Sequence, residues 1–226
     1  MLYFQTNLRF LGQNGFLSDG ICPEIPAGRK ESLWDGTEFP KPSELLSISE
    51  HFGISTDRLL KVNIAEAARL KQTIKLVIFD VDGVLTDGGM YYTESGDEFK
   101  KFNAKDGLAI RRLTQEGFIT GIISHGINRN LIERRAALLN ISKVYTGNKP
   151  KSEVLSDWCS ELGITPKESA FIGDDLNDLS LIRIVGFSGC PADACLEVKS
   201  VVNVVLTKKG GEGCVREWID AYFQQA

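Results

Sequence analysis

The chain has 226 residues, with 26 Lys and Arg against 30 Asp and Glu, for a formal charge of −4. An apolar share of 42% and a charged share of 25% read as a folded soluble protein and exclude a mainly disordered one. No run approaches the roughly 20 apolar residues that cross a bilayer, the N-terminus lacks the pattern of a signal peptide, and weak acidity argues against a broad nucleic-acid footprint. At roughly 150 residues per domain, the length holds one domain and a remainder. Cys22, Cys159, Cys190, Cys195 and Cys214 are scattered and form no C-x-x-C pair, and His51 and His125 are the only histidines. That set suits neither a zinc site nor a disulfide framework, and reads as reduced thiols in the cytoplasm.

Up to about Asn63 the chain carries Pro23, Pro26, Pro40 and Pro42, four of its seven prolines, and no strand-like run longer than a few residues. Its helical pieces include Asn7 to Leu11 and the stretch from Pro42 to Leu60, in which Ser43 and Ser55 are placed to cap successive helices. This segment resembles the helix-turn-helix family of phage-repressor type, its last two helices above all. It departs where DNA would be read: Gly20, Pro23 and Pro26 interrupt the helix that the family has there, and a proline inside a helix costs about 3 kcal/mol. Arg29 and Lys30 are left to meet phosphates, and six basic against eight acidic residues is the wrong sign for a duplex. The expectation is a small all-α module over residues 1–70, serving assembly or partner contact rather than binding nucleic acid. Met1 to Gln5 also resembles a protease-tag remnant, although Leu2 and Phe4 suit a first helix.

From residue 71 to 226 short apolar runs alternate with helical periods. Ile74 to Phe79, Gly117 to Ser124, Ser169 to Gly173 and Val201 to Leu206 read as strands. Between them, Asn128 to Leu139 and the stretch holding Val154, Leu155, Trp158 and Leu162 read as helices. The expected fold is α/β, a Rossmann-like parallel sheet with helices on both faces. In such sheets ligands sit at the carboxyl ends of the strands, which directs attention to the residue after each apolar run.

Those residues carry the chemistry. The first strand empties into Asp80-Val81-Asp82-Gly83, two carboxylates that repel unless a cation neutralises them. The second delivers Ser124, a third short stretch leads to Gly147-Asn148-Lys149-Pro150-Lys151, and the fourth ends in Gly173-Asp174-Asp175-Leu176-Asn177-Asp178. Any one of these acids alone would read as a helix cap or turn residue. Four sets at matching strand ends read as a site for a hard cation, Mg²⁺, beside a phosphate. Phosphoryl transfer needs a nucleophile, charge neutralisation and a proton donor. Asp80 can attack to form an aspartyl-phosphate, Asp82 can protonate the leaving alcohol and then activate water, Lys151 and Ser124 can hold phosphoryl oxygens, and Asp174 can bind the metal.

In order and spacing, Asp80 to Gly88, Ser124, Lys151 and Gly173 to Asp178 resemble the four motifs of the haloacid dehalogenase superfamily of phosphatases. More narrowly, Ile74 to Phe223 resembles the 3-deoxy-D-manno-octulosonate 8-phosphate phosphatases and their relatives acting on nine-carbon sialic-type sugar phosphates, in lipopolysaccharide or sialic acid biosynthesis. Phe102 to Gly107 and Gly210 to Glu217 are further marks of the resemblance. It implies Asp80 as nucleophile and Asp82 as acid and base. It also implies Mg²⁺ on the Asp80 carboxylate, the Asp82 backbone carbonyl and Asp174, with Asp175 and Asp178 in support. Lys151, favoured over Lys149 by its spacing from Gly147, is the motif lysine. Related ATPases carry Thr at the position of Asp82, so the carboxylate favours hydrolysis of a monoester. The competing reading is a DNA-binding regulator with a sugar-phosphate-sensing domain, which would not need both Asp80 and Asp82.

Only 43 residues lie between Asp80 and Ser124, and a helix from about Asp106 to Glu116 uses some of them. No cap domain fits; Met90 to Tyr92 and Glu98 to Phe102, around Ser95-Gly96, read as a short β-hairpin flap. The resemblance implies a homotetramer whose neighbours close each site, with Arg216 reaching a neighbour's substrate carboxylate. It assigns Lys105, Asp106, His125 and Arg135 to the substrate as well. After Ser124 the chain departs from the family, with His125-Gly126-Ile127-Asn128 and one residue inserted before Arg134-Arg135.

Overall fold

In the computed structural model, which describes residues 3–126 and 129–223, the chain divides after Gln72, with Thr73–Phe223 forming the second unit. The tag-like Met1 and Leu2, the departure at Ile127 and Asn128, and the last three residues of the expected second domain lie outside the described residues.

The first unit is all helical: α1 (Phe4–Leu11), α2 (Ala27–Asp35), α3 (Pro42–Phe52), α4 (Thr56–Lys61) and α5 (Ile64–Thr73). Phe4 and Leu8 lie one turn apart on α1 and pack with Phe16, Leu33, Ile48 and Leu59. Phe4 is therefore part of this core. The prolines act as punctuation. Pro26 immediately precedes α2, and Pro42 is the first residue of α3, where its missing N–H costs nothing. Ser55 caps α4 by accepting from the Arg58 N–H at 3.3 Å. Ser43 does not cap α3, because the helix starts one residue earlier. Glu44 closes that end instead, accepting from the Lys41 N–H at 2.7 Å. Arg29 and Lys30, the side chains offered to phosphates, are engaged within the unit. Arg29 pairs with Glu38 and forks onto Glu44 at 2.7 and 2.9 Å, and Lys30 is buried and donates to the Ser18 carbonyl at 2.9 Å.

The second unit is the expected α/β fold. Its parallel sheet has six strands in the order β5-β4-β1-β6-β7-β8: β1 (Leu76–Phe79), β4 (Ile119–Ser124), β5 (Lys143–Thr146), β6 (Ser169–Ile172), β7 (Phe187–Cys190) and β8 (Val204–Val205). A separate hairpin joins β2 (Tyr91–Tyr92) to β3 (Glu98–Phe99). The helices are α6 (Ala104–Gln115), α7 (Arg129–Leu138), α8 (Lys151–Leu162), α9 (Leu179–Ile182), α10 (Leu196–Lys199) and α11 (Cys214–Tyr222). Leu76, Ile78, Ile123 and Phe171 pack with Val154, Leu155 and Cys159 of α8 and with Leu181 and Ile182 of α9. Strand alternation turns the equally buried Val77 and Phe79 to the other face. There α6 and α11 pack together, and Trp218 of α11 stacks on Phe187 with ring centroids 6.0 Å apart.

Two strand readings change. Val201 to Leu206 shrinks to the two residues of β8, since Val198 to Val202 closes helical turns. Strand β7 was not foreseen, because Ser188 and Gly189 dilute its apolar signal. The five cysteines are all free thiols. Among the described residues no helix is long and apolar enough to cross a membrane.

Asn7 holds the first unit together from inside. Its buried amide donates to the Leu59 and Val62 carbonyls at 2.8 and 2.7 Å and accepts from the Ile64 N–H at 2.9 Å, tying α1 to both ends of the α4–α5 connection. Asn7→Leu leaves these buried groups unpaired, and should lower the stability of this unit by about 2–4 kcal/mol. Denaturant unfolding of the full chain, followed through Trp34, measures the loss; an unchanged midpoint would contradict it.

Candidate active site

The sheet order places the cleft. The chain leaves β1 for β4 and β5 on one side, then crosses to β6 on the other, so the strand order reverses beside β1. Ligand sites in open parallel sheets form at such points, beyond the carboxyl ends of the strands. Here an open cleft of about 600 Å³ is lined by Asp80, Asp82, Gly83, Lys100, Ser124, His125, Gly126, Asp174, Asp175 and Asn177, together with hairpin residues.

Asp80 follows β1 directly and is 5% exposed. The chain then makes a wide turn over Val81–Leu85, closed by the Thr86 N–H on the Val81 carbonyl at 3.0 Å. Gly83 sits in that turn at φ 84°, and a Cβ there would overlap the Asp174 carboxylate, so only glycine allows the turn to reach the end of β6. Phe79 pairs with Ile172 in register, which brings Asp80 and Asp174 together just past the sheet.

Lys151, the first residue of α8, is fully buried. Its ammonium donates to Asp80 Oδ1 at 2.7 Å and to Asp178 Oδ1 at 2.6 Å. Lys149 instead pairs with Asp157 at 2.5 Å, away from Asp80. Asp178 Oδ2 accepts the N–H groups of Asp174 and Asp175 at 2.8 and 3.2 Å. Asp175 caps the short turn that carries Asp178.

Oxygens from Asp80, Asp174 and Asp178 lie within 4.8 Å of one another. Both oxygens of Asp178 are already engaged, which leaves Asp80 and Asp174 as the carboxylates available to a cation. Asp174 Oδ1 is buried with no hydrogen-bond partner. A carboxylate oxygen without a donor inside a protein is expensive unless a cation meets it. Three carboxylates against one ammonium leave two negative charges, the complement of a divalent ion, and an all-oxygen donor set suits a hard one. The electrostatics agree. Burial, then the charges of Asp80, Asp178 and Asp175, push Asp174 up to about 8. Burial also raises Asp80, against the pull of Lys151 and with the push of Asp178. Burial works against the Lys151 ammonium, but Asp80 and Asp178 outweigh it and its pKa rises.

Ser124 ends β4, buried, and its Oγ accepts the Gly126 N–H at 2.9 Å. His125 lines the cleft between the Lys149 carbonyl, 3.3 Å from Nε2, and Asn177, whose amide nitrogen is 3.4 Å from Nδ1. A proton on Nε2 satisfies both contacts.

Of the residues assigned to substrate, His125 alone lines the cleft. Lys105 is exposed on the first turn of α6. Asp106 is buried under α11, where it accepts the Arg216 N–H at 2.7 Å; burial raises it to about 6, opposed by N–H groups of Arg216 and Gly213. One oxygen of its carboxylate caps α11, and the other, Oδ2, is buried without a hydrogen-bond partner. Arg135 lies 5.0 Å over the Phe102 ring and donates to the Asn103 carbonyl at 3.3 Å. Arg216 turns its guanidinium to Asp220 of its own helix.

Lys100 was missed. It lies just past β3, its side chain is 3% exposed, and its ammonium reaches Asp82 Oδ1 at 2.5 Å and Glu98 Oε1 at 2.7 Å. The alternation Glu98, Phe99, Lys100, Lys101 in a hairpin puts Glu98 and Lys100 on one face, a legible signal.

The haloacid dehalogenase-like hydrolase family pattern matches residues 104–186. The 3-deoxy-D-manno-octulosonate 8-phosphate phosphatase of Haemophilus influenzae is 38% identical over 153 residues, covering 68% of this chain and 84% of that protein. This chain belongs to that phosphatase family. It is a phosphomonoesterase. The enzyme of the same name from Escherichia coli K12 is 38% identical over 156 residues, covering 69% of this chain and 82% of its own. The crystal structure of the Moraxella catarrhalis phosphatase with a magnesium ion, a phosphate ion and KDO superposes with a TM-score of 0.66 at 36% identity, covering 70% of this chain and 92% of that one. A cobalt-bound Haemophilus influenzae phosphatase gives 0.63 at 37% identity, over 67% and 88%.

The raised Asp174 carboxyl fixes the sign of a pH effect. Between the ordinary carboxylate range and about 8 the folded state holds a proton that the unfolded state has released, so stability falls as pH rises through that window. Stripped of cations, the chain should melt at progressively lower temperature from about pH 5 to 8, and added Mg²⁺ should raise the melting temperature more at pH 8 than at pH 6. Melting curves across that range with and without Mg²⁺ check this; a Mg²⁺ shift independent of pH would contradict it.

Proposed function

We propose that the protein is a Mg²⁺-dependent phosphatase of an acidic sugar phosphate, 3-deoxy-D-manno-octulosonate 8-phosphate or a nine-carbon sialic-type 9-phosphate, working through an aspartyl-phosphate. The observation that carries this reading is Lys151, buried and bridging Asp178 to Asp80, which lines the cleft together with Asp82 and Ser124. The names of the relatives favour the eight-carbon sugar.

In this reading an Asp80 carboxylate oxygen attacks phosphorus, the phosphorus–ester oxygen bond breaks, and Asp82 passes its proton to the departing alcohol. Asp82, now ionised, takes a proton from water, which attacks the acyl-phosphate and frees Asp80. Lys151 and the Ser124 hydroxyl neutralise and orient the phosphoryl oxygens, while Asp178 and Asp175 hold Lys151 and the turn that carries Asp174. The cation would sit on Asp80, Asp174 and the Asp82 backbone carbonyl, and when bound it supplies positive charge to the phosphoryl group. That charge is needed, because Asp80, Asp82, Glu98, Asp174 and Asp175 all line the cleft and would repel a phosphate dianion.

An apolar hairpin surface, with Met90 67%, Tyr92 60% and Phe99 52% exposed, supports a homotetramer built through the hairpins. We place the reaction in the cytoplasm, within lipopolysaccharide or sialic acid biosynthesis. The helical unit is read as a scaffold for assembly or partner contact, since Arg29 and Lys30 are engaged internally.

Phosphate release from a panel of eight- and nine-carbon acidic sugar phosphates, with Mg²⁺ and with a chelator, tests the reading. Release should require Mg²⁺, and Asp80→Asn should lower the rate by at least about 10⁴-fold, as expected for loss of a nucleophile. No release from any substrate, or full activity in Asp80→Asn, would overturn it.

A further inference from the structure

The hairpin reaches the catalytic turn through one side chain. Lys100 is almost wholly buried, and its ammonium lies between Asp82 Oδ1 and Glu98 Oε1, at 2.5 and 2.7 Å. Glu98 is opposite Tyr92 in the hairpin pairing, so the clamp is anchored in the flap itself. The other oxygen of Asp82 faces elsewhere. A Cβ placed on Gly126 would lie 3.3 Å from Asp82 Oδ2 and 3.1 Å from Ser124 Oγ, so Oδ2 and the Ser124 hydroxyl look into the same small space.

We propose that Lys100, held by Glu98, is a positioning residue for the hydrolysis: it fixes Asp82 by Oδ1 so that Oδ2 is the oxygen that exchanges protons with the leaving alcohol and with water. This inference rests on the reading of Asp82 as acid and base. A carboxylate on a single χ1–χ2 stem, about one-third exposed, has rotational freedom that would cost catalytic efficiency unless something restrains it. An ammonium on Oδ1 restrains it and stabilises the charge left behind once the Oδ2 proton departs. An aliphatic side chain at this position could do neither. The same clamp requires the flap to be in place over the cleft before Asp82 is correctly aimed, which couples hairpin order to the chemistry.

The test uses the dependence of the rate on the leaving group. The quotient kcat/KM covers steps only up to departure of the alcohol. p-Nitrophenolate leaves without protonation, whereas an alkoxide needs an acid. The full chain carrying Lys100→Met is assayed with Mg²⁺ on p-nitrophenyl phosphate, on a neutral alkyl ester such as glucose 6-phosphate, and on 3-deoxy-D-manno-octulosonate 8-phosphate. We expect kcat/KM for both alkyl esters to fall on the order of tenfold or more beyond any fall for p-nitrophenyl phosphate, since the acid's contribution is lost only where it is needed. Lys100→Arg should recover most of that difference and Glu98→Gln should reproduce part of it. Equal falls on all three substrates mean a structural role and overturn the proposal. A fall confined to the acidic sugar means that Lys100 meets the substrate carboxylate, which also overturns it, as does no fall at all. Activity of the unaltered chain on the same substrates separates these outcomes from failure of the phosphatase reading, in which the unaltered chain would itself be inactive.

Discussion

Three carboxylates and one ammonium share the space beyond the ends of β1 and β6, and burying such a set is unfavourable unless its charges are matched. Desolvating an ion pair can cost more than its attraction returns, and removing one partner leaves an unpaired buried charge. Lys151 also opens a helix, where the macrodipole disfavours a cation. It stays because Asp80 and Asp178 each accept a short hydrogen bond from it. The remaining excess falls on Asp174, whose Oδ1 has no donor and whose pKa is driven to about 8. The site is thus assembled with its negative charge incompletely balanced, a condition that suits a bound cation.

Holding that arrangement requires the backbone to pack closely around it. The turn after β1 can approach Asp174 only because Gly83 has no side chain, and behind that turn the C-terminal glycines do the same. A Cβ on Gly210 would overlap the Gly83 carbonyl. The Gly211 N–H donates to the Val84 carbonyl at 3.0 Å, and Asn103 donates to the Gly211 carbonyl at 3.1 Å. Asp106 then caps α11, the helix that follows. The glycine-rich tail and the Phe102–Gly107 segment are therefore a wall that supports the catalytic turn. Within them Asn103 and Asp106 bond backbone of the tail and of α11, and Arg216 is turned back on its own helix.

This explains which parts of the site were legible in the sequence. Asp80, Ser124, Lys151 and Asp174 could be read because each sits at a fixed offset from an apolar run, and a parallel sheet gathers such ends by its topology. Asp106, Arg135 and Arg216 could not be placed that way. Their positions depend on how α6, α7 and α11 pack, which no local pattern encodes, and the family marks they belong to do not say whether a side chain faces ligand or core. Ser43 failed as a cap for a more local reason: Pro42 already supplied the first helical residue, so Glu44 was the side chain within reach of the end. Strand β7 was hidden because its serine and glycine are tolerated only in the shelter of β6 and β8.

Lys100 escaped notice for the opposite reason, since its pattern is clear but its element is very small. Strands of two residues have little stability of their own, and this hairpin persists through its side chains. Tyr91 stacks on Phe99 at 5.5 Å and donates to Asp87 at 3.0 Å, the Thr93 to Asp97 turn is closed by Ser95 and Asp97, and a bridge from Thr86 to Phe102 pins the base. Asp87 and Thr86 belong to the segment that begins at Asp80. The flap and the turn after β1 are consequently one continuous fold element, tied at the base by the Thr86 bridge and beside it by Lys100 on Asp82. In a phosphatase without a cap domain, that short tether is the part of the chain that brings a covering strand to Asp82 at the cleft. Its strength comes from a buried ammonium shared between two carboxylates, the same device by which Lys151 holds Asp80 to Asp178 on the other side of the cleft.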